Sequence, residues 1–173
     1  MKRLCLFVVL GLMLCGCGAE PVMETLGDAY VQPVSADVGQ VLLELPQEAA
    51  TPTLESTAGG KLYLCGDYEI TVQTVAAGDL DKTLKNATGF SREQLTVMET
   101  VSSGIKRYEC AWSAVGEGTD QVGRAVVLDD GAYHYVLTVM AAAENTGSLA
   151  QTWDGILGSF RLATGEYALN TGS

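Results

Sequence analysis

The chain has 173 residues carrying 10 basic and 21 acidic side chains, a net charge of −11 at neutral pH. That sign excludes the usual route to nucleic acid, which sets Lys and Arg against phosphates, and it opposes direct adsorption to anionic lipid. The length suits one domain plus a leader, enough chain to bury roughly 70% of its unfolded surface.

At the N-terminus Lys2 and Arg3 precede an apolar run over residues 4–14. The run is about half of the roughly 20 residues that a bilayer-spanning helix needs. A positive start and a short apolar core describe a signal peptide rather than a permanent span. It ends in Leu14-Cys15-Gly16-Cys17, which resembles the lipobox of bacterial lipoprotein precursors. The resemblance implies a diacylglycerol on the Cys17 thiol and cleavage just before it. The alternative is an ordinary secretory signal that happens to contain cysteines. Cys15 lacks a small residue before it, so Cys17 is the expected lipidation site. Two or more acyl chains hold a protein stably at a bilayer, whereas one does so only marginally.

Residues 1–16 are therefore read as signal peptide, 17–38 as a lipid-anchored acidic spacer, 39–165 as a single domain and 166–173 as a frayed tail. Removing Lys2 and Arg3 leaves 8 basic against 21 acidic residues, a mature net charge of −13. Between residues 18 and 38 no basic residue occurs, and Pro21 and Pro33 interrupt regular structure. A flexible spacer of this length reaches on the order of 25 Å.

Five cysteines are encoded. Cys5 and Cys15 leave with the signal and Cys17 takes the lipid, so Cys65 and Cys110 remain as an even pair in an extracytoplasmic compartment. The expectation is a Cys65–Cys110 disulfide. Two buried thiols are the alternative. Two Cys and one distant His fall short of a four-ligand zinc site.

The elements follow in chain order. Residues 41–45, ending at Pro46, read as an edge strand, and residues 47–60 read as a loop. Residues 61–75 are rich in Tyr, Ile, Val and Thr, with a bend at Gly66-Asp67. Asp79 is placed to cap a short helix carrying Leu80, Leu84 and Ala87, with Gly89 as its stop. Ser91 and Gln94 have capping-box spacing over one turn. Residues 95–101 alternate as a strand and turn at Ser102-Ser103-Gly104. In the next strand Tyr108, Cys110, Trp112 and Ala114 share a face. Residues 121–128 and 132–140 pair about Asp129-Asp130-Gly131, a hairpin signal. Ser148 and Gln151 have capping-box spacing before a helix whose Leu149, Trp153, Ile156 and Leu157 form an apolar stripe. Gly158 ends that helix, and residues 159–162 return to the sheet.

This order predicts an α+β fold, an antiparallel meander packed against a few short helices. Leu45-Pro46, the run Tyr133-His134-Tyr135-Val136-Leu137 and the closing Ser159-Phe160-Arg161-Leu162 resemble the PsbP-like fold. That α+β sandwich is named for a photosystem II extrinsic protein and recurs in small bacterial lipoproteins. The resemblance spans residues 41–162. It implies a noncatalytic module that assists or binds other proteins at a membrane surface.

Candidate chemistry is sparse. His134 is the only histidine and alternates with tyrosines, so it reads as a surface or sheet-face residue rather than a general base. No serine has Gly-x-Ser-x-Gly spacing. Asp129 and Asp130 suit a turn better than a calcium site of six to eight oxygens. Asp67 with Glu69, and Glu117 with Asp120, do not make a glycosidase pair, and no Gly-rich step has phosphate-loop spacing. Trp112, Tyr133 and Tyr135 read as packing before they read as a binding face. The expectation is a noncatalytic binding or assembly module of the cell envelope. It would hold no cofactor, and its partners would be the membrane through its lipid and an envelope protein or ligand. The alternative is an envelope-associated hydrolase with a dispersed site, which would show a titratable group with a strongly shifted pKa in a deep cleft.

Overall fold

The computed structural model describes residues 38–115 and 119–163. The leader, Cys17 and the spacer through residue 37 lie outside the described residues, as do Glu117 and the tail from residue 164.

Nine strands and two α-helices follow in order: β1 (Val41–Leu42), β2 (Leu54–Glu55), β3 (Lys61–Cys65), β4 (Tyr68–Ala76), α1 (Leu80–Thr88), β5 (Thr96–Ser102), β6 (Ile105–Ala114), β7 (Gln121–Asp129), β8 (Tyr133–Ala142), α2 (Thr146–Ser159) and β9 (Arg161–Leu162). Seven strands form one antiparallel sheet in the order β2-β3-β4-β8-β7-β6-β5. The protein is thus α+β, with its sheet made of two meanders. β4 leaves through α1 to the far edge, and the chain returns strand by strand until β8 pairs with β4, Ile70 opposite Val139.

Turn chemistry sets the hairpins. Gly66 and Asp67 join β3 to β4, and Cys65 lies opposite Tyr68. Ser103 and Gly104 both have positive φ, 52° and 81°, the backbone of a tight two-residue hairpin. α1 is capped as its sequence predicts: the Asp79 carboxylate accepts from the Asp81 and Lys82 amides, and Gly89 closes the helix with φ 81°.

Period-two alternation then sorts side chains onto two faces, each covered by a helix. On one face Ile70, Val126, Leu137 and Val139 pack beneath Trp153, Ile156 and Leu157 of α2, together with Phe160 and Leu162. On the other, Tyr108, Cys110, Trp112, Val127 and Val136 pack with Leu84 of α1. Gly123 of β7 lies opposite Trp112 of β6, and a Cβ there would overlap the indole ring.

Several expectations are corrected. The Cys65–Cys110 bridge is not formed: both are buried free thiols. β4, β8 and β7 lie between their strands, and the two side chains belong to cores on opposite faces. Four strand spacings of ~4.8 Å exceed by far the roughly 7 Å limit for bridged Cα atoms. The closing strand does not rejoin the large sheet, because β9 pairs with β1, Leu162 opposite Val41. α2 begins before Ser148, whose hydroxyl donates to the Asn145 carbonyl at 2.9 Å, so no capping box forms. Gly158 lies inside α2, which runs to Ser159. The expected loop over residues 47–60 contains a 3₁₀ turn (Gln47–Ala49) and β2.

Candidate functional site

Three of the titratable groups that the sequence singles out, His134, Asp129 and Asp130, are held in structural hydrogen bonds. His134 is 2% exposed, beneath α1 on β8, so the surface half of its expectation is wrong. Its Nδ1 shares a 2.8 Å hydrogen bond with the Thr83 hydroxyl of α1, and its Nε2 lies 3.9 Å from Asp129 Oδ2. Burial pulls the His134 pKa below its ordinary value, more strongly than Asp129 and Asp130 push it up. A Thr-His-Asp line, its histidine buried and its aspartate partly exposed, ties α1 to the sheet. It presents no nucleophile to a substrate.

The Asp129-Asp130-Gly131 turn uses both carboxylates. Asp129 Oδ1 accepts from the Gly131 amide at 2.8 Å. Asp130 Oδ1 accepts from the Ala132 and Tyr133 amides at 2.8 and 2.7 Å, and its Oδ2 accepts from the Tyr135 hydroxyl at 2.8 Å. Burial raises the Asp130 pKa, but these donors outweigh it and hold the group below the usual carboxylate range. Tyr135 is fully buried. Its oxygen also accepts from the Gly39 amide at 2.7 Å, pinning the first described residues to the β7–β8 hairpin. Tyr133, Tyr135 and Trp112 are thus core residues, with Trp112 on the opposite face from the tyrosines. Among the described residues no cluster of three His, Cys, Asp or Glu could hold a metal ion.

The cysteines are equally enclosed. Burial raises the Cys65 pKa, with a hydrogen bond to Tyr68 opposing it, and the Tyr68 hydroxyl itself donates to Glu48 at 2.8 Å. Cys110 is pushed up to about 11 by burial. Thiols protonated at neutral pH and shut away from solvent are poor nucleophiles.

What remains open is sheet surface. α2 leaves the β5–β6 side of its face uncovered, and a groove of about 460 Å³ lies there, lined by Thr96, Met98, Ala111, Val126 and Leu157 with Glu109 and Arg124. Arg124 is paired with Asp154 of α2. The groove owes its shape to Arg107, which sequence reading missed. Its guanidinium donates to the Leu157 and Phe160 carbonyls, both at 2.8 Å, and to Glu109 at 2.6 Å. The end of α2 is thereby fixed beside β6 and not over β5. The available signal was the alternation of Ile105, Arg107 and Glu109 along one face, which places charge where a helix end needs donors. A second, more polar recess of about 310 Å³ lies at the Gly66-Asp67 turn, beside Glu69 and Gln121. Glu69 is raised by burial.

No family model matches the chain, and no curated protein does. Among solved structures it is similar to LpqN, described as involved in cell envelope biogenesis of Mycobacterium tuberculosis. The two share 18% identity over 78% of this chain and 89% of that one, with a TM-score of 0.50. Identity at that level shows a common fold. Among the described residues no helix is long and apolar enough to cross a membrane.

Proposed function

We propose that the protein is a lipid-tethered, noncatalytic binding module of the cell envelope, held through Cys17 and presenting the groove beside α2 to an envelope protein or ligand. The observation that carries this reading is a division of labour in the fold. Its histidine, its turn carboxylates and both thiols are engaged in packing, while sheet surface at Met98 and Ala111 stays open beside the end of α2. Enzymes keep a perturbed acid or base at the wall of a cleft. The groove holds Glu109 already paired with Arg107, and Arg124 already paired with Asp154; the acid whose pKa burial raises, Glu69, stands apart from it at the recess beside Gly66-Asp67.

The LpqN fold, described in the context of envelope biogenesis, is compatible with an envelope-associated module. The PsbP-like reading belongs to the same proposal, since a sheet with a helix on each face suits a sandwich that works by presenting surface. Location rests on the Leu14-Cys15-Gly16-Cys17 lipobox.

Two measurements test the proposal. Cys17→Ala should abolish incorporation of a fatty-acid analogue and leave the signal peptide attached; label that persists would move the lipid elsewhere. Ala111→Arg, at an exposed groove position, should lose the proteins that the lipidated wild type captures from native membranes. Identical captures by both forms would remove the groove from the reading. Turnover of envelope polymer by the purified protein would replace it with the hydrolase alternative.

A further inference from the structure

We propose that β5 pairs antiparallel with β5 of a second copy of this chain, about a two-fold axis through Met98, joining two seven-stranded sheets edge to edge.

The two edges of the sheet differ. β2 ends one side with two residues, whereas β5 ends the other with seven. No described strand pairs with the outer side of β5. Natural edges are blunted by Lys, Pro, bulges or brevity. β5 has no Lys, Pro or bulge and one charge, Glu99: it reads Thr-Val-Met-Glu-Thr-Val-Ser, is rich in β-branched residues, and keeps unbroken register with β6 from Thr96 to Ser102.

The hairpin identifies its free backbone groups. In a tight two-residue turn the flanking residues, here Ser102 and Ile105, form a hydrogen-bonded pair. Alternation from that pair directs the amides and carbonyls of Thr96, Met98 and Thr100 toward β6. Those of Val97, Glu99 and Val101 point outward. A seven-residue row of this kind is a template for strand addition.

Self-pairing about Met98 matches several flanking residues, with Val97 opposite Glu99 as the exception. Thr96 mirrors Thr100, Leu95 mirrors Val101, and Gln94 mirrors Ser102. Pairing about Met98 sets Val97 of each copy against Glu99 of the other, so four backbone hydrogen bonds form across the axis. Met98, 62% exposed, meets Met98 of the second copy, and Val101, 63% exposed, is covered by Leu95. Shifting the axis to Glu99 would set two carboxylates directly opposite, a destabilising arrangement. Shifting it to Thr100 would set Met98 against Ser102 and leave Val101, like Val97 in the Met98 register, against Glu99. Only the Met98 register covers both apolar side chains with apolar or like residues. Because the chain is acidic, with a net charge of −11, the association strengthens as ionic strength rises.

The pairing makes a geometric demand that can be read in membranes. Residues opposite in a non-hydrogen-bonded antiparallel pair have Cα atoms about 4.5 Å apart, within disulfide reach. Full-length Met98→Cys, oxidised mildly in native membranes, should therefore run as a covalent dimer on a non-reducing gel. Val101→Cys, facing Leu95, should not, and the wild type with buried Cys65 and Cys110 should not. Full-length Met98→Lys, altered at an exposed position, should be monomeric by sedimentation where the wild type is dimeric. A monomeric wild type at every concentration and salt would overturn the proposal. So would cross-linking by Val101→Cys in place of Met98→Cys, or a Met98→Cys adduct to a different protein. Met98 also lines the groove beside α2, so a Met98→Cys adduct to a different protein would point to a groove partner, whereas a Met98→Cys homodimer reports self-pairing alone.

Discussion

Arg107 donates to the Leu157 carbonyl at 2.8 Å, so a strand residue serves as the C-terminal cap of a helix fifty positions away. The same guanidinium takes the Phe160 carbonyl and the Glu109 carboxylate. The guanidinium sits at the negative end of the helix dipole, satisfying the Phe160 carbonyl and reinforcing the Leu157 carbonyl, which otherwise has only a long 3.4 Å bond from the Phe160 amide. Arg107→Ala should destabilise the domain by about 1 to 3 kcal/mol, because it removes three charge-assisted bonds and leaves the Phe160 carbonyl and the Glu109 carboxylate without their donor. Lys, a point charge without the fork, should recover only part of that loss. Denaturant titration measures both. If the Ala variant matched the wild type, α2 would be held by its apolar stripe alone.

Trp153 belongs to that stripe and is 2% exposed. Trp153→Ala should cost roughly 3 to 5 kcal/mol, the range for removing a large buried side chain. A loss under about 1 kcal/mol in chemical denaturation would contradict the packing of α2 on the sheet.

Gly123 is required by Trp112 rather than by backbone conformation. A methyl group at position 123 would occupy the space of the indole ring. Gly123→Ala should therefore destabilise by about 1 to 3 kcal/mol, as overpacked cores do. Adding Trp112→Leu should make the alanine better tolerated than it is beside Trp112, a coupling that a double-mutant cycle detects. Strict additivity would mean that the indole does not lie over the glycine.

His134 makes stability depend on pH, with a definite sign. Its folded pKa is depressed below the ordinary value of 6.5 by burial. Below that value the unfolded chain takes up a proton that the folded chain resists. Stability from this group is therefore complete above about pH 6.5 and falls as pH drops toward the folded pKa. His134→Gln should flatten the pH 5 to 7 part of the stability profile. An unchanged slope there would assign the dependence to other groups. In the wild type, the protection of α1 amides, taken relative to their intrinsic exchange rate at each pH, should fall at acid pH, since Thr83 shares its hydrogen bond with the imidazole.

Cys65 and Cys110 should both react with a thiol reagent after unfolding without reductant, and only slowly in the folded protein, because both are buried. Serine at each position should destabilise additively, since the sites lie on opposite faces of the sheet with no shared partner. A mature mass two protons short of the dithiol form would restore the bridge.

Periodicity and turn chemistry are local, and they made most elements legible in the sequence. Gly66-Asp67, Ser103-Gly104 and Asp129-Asp130-Gly131 each need only their own residues to turn, and each marks a hairpin in the structure. Asp79 and Gly89 delimit α1 for the same reason. The alternation of Tyr108, Cys110 and Trp112 placed them together on one buried face. Ser148 and Gly158 show where local signals stop. They match cap and stop patterns, yet α2 runs through both, because tertiary packing of Trp153, Ile156 and Leu157 extends the helix to where Arg107 can close it.

Alternation says that two side chains share a face of their own strand, but not which face of the sheet a distant strand contributes. The crossover from β4 to β5 decided that for Cys65 and Cys110, setting them in different cores with three strands between. It also buried His134 under α1 and left β5 at an edge. The groove likewise exists only because Arg107 and Leu157, far apart in the chain, fix how much sheet α2 covers. The sequence alone determined the turns, the caps of α1 and the amphipathic stripes, since a few neighbouring residues suffice for each. Thiol pairing, the setting of the histidine and the open surface depended on long-range strand order, and only the tertiary structure decided them.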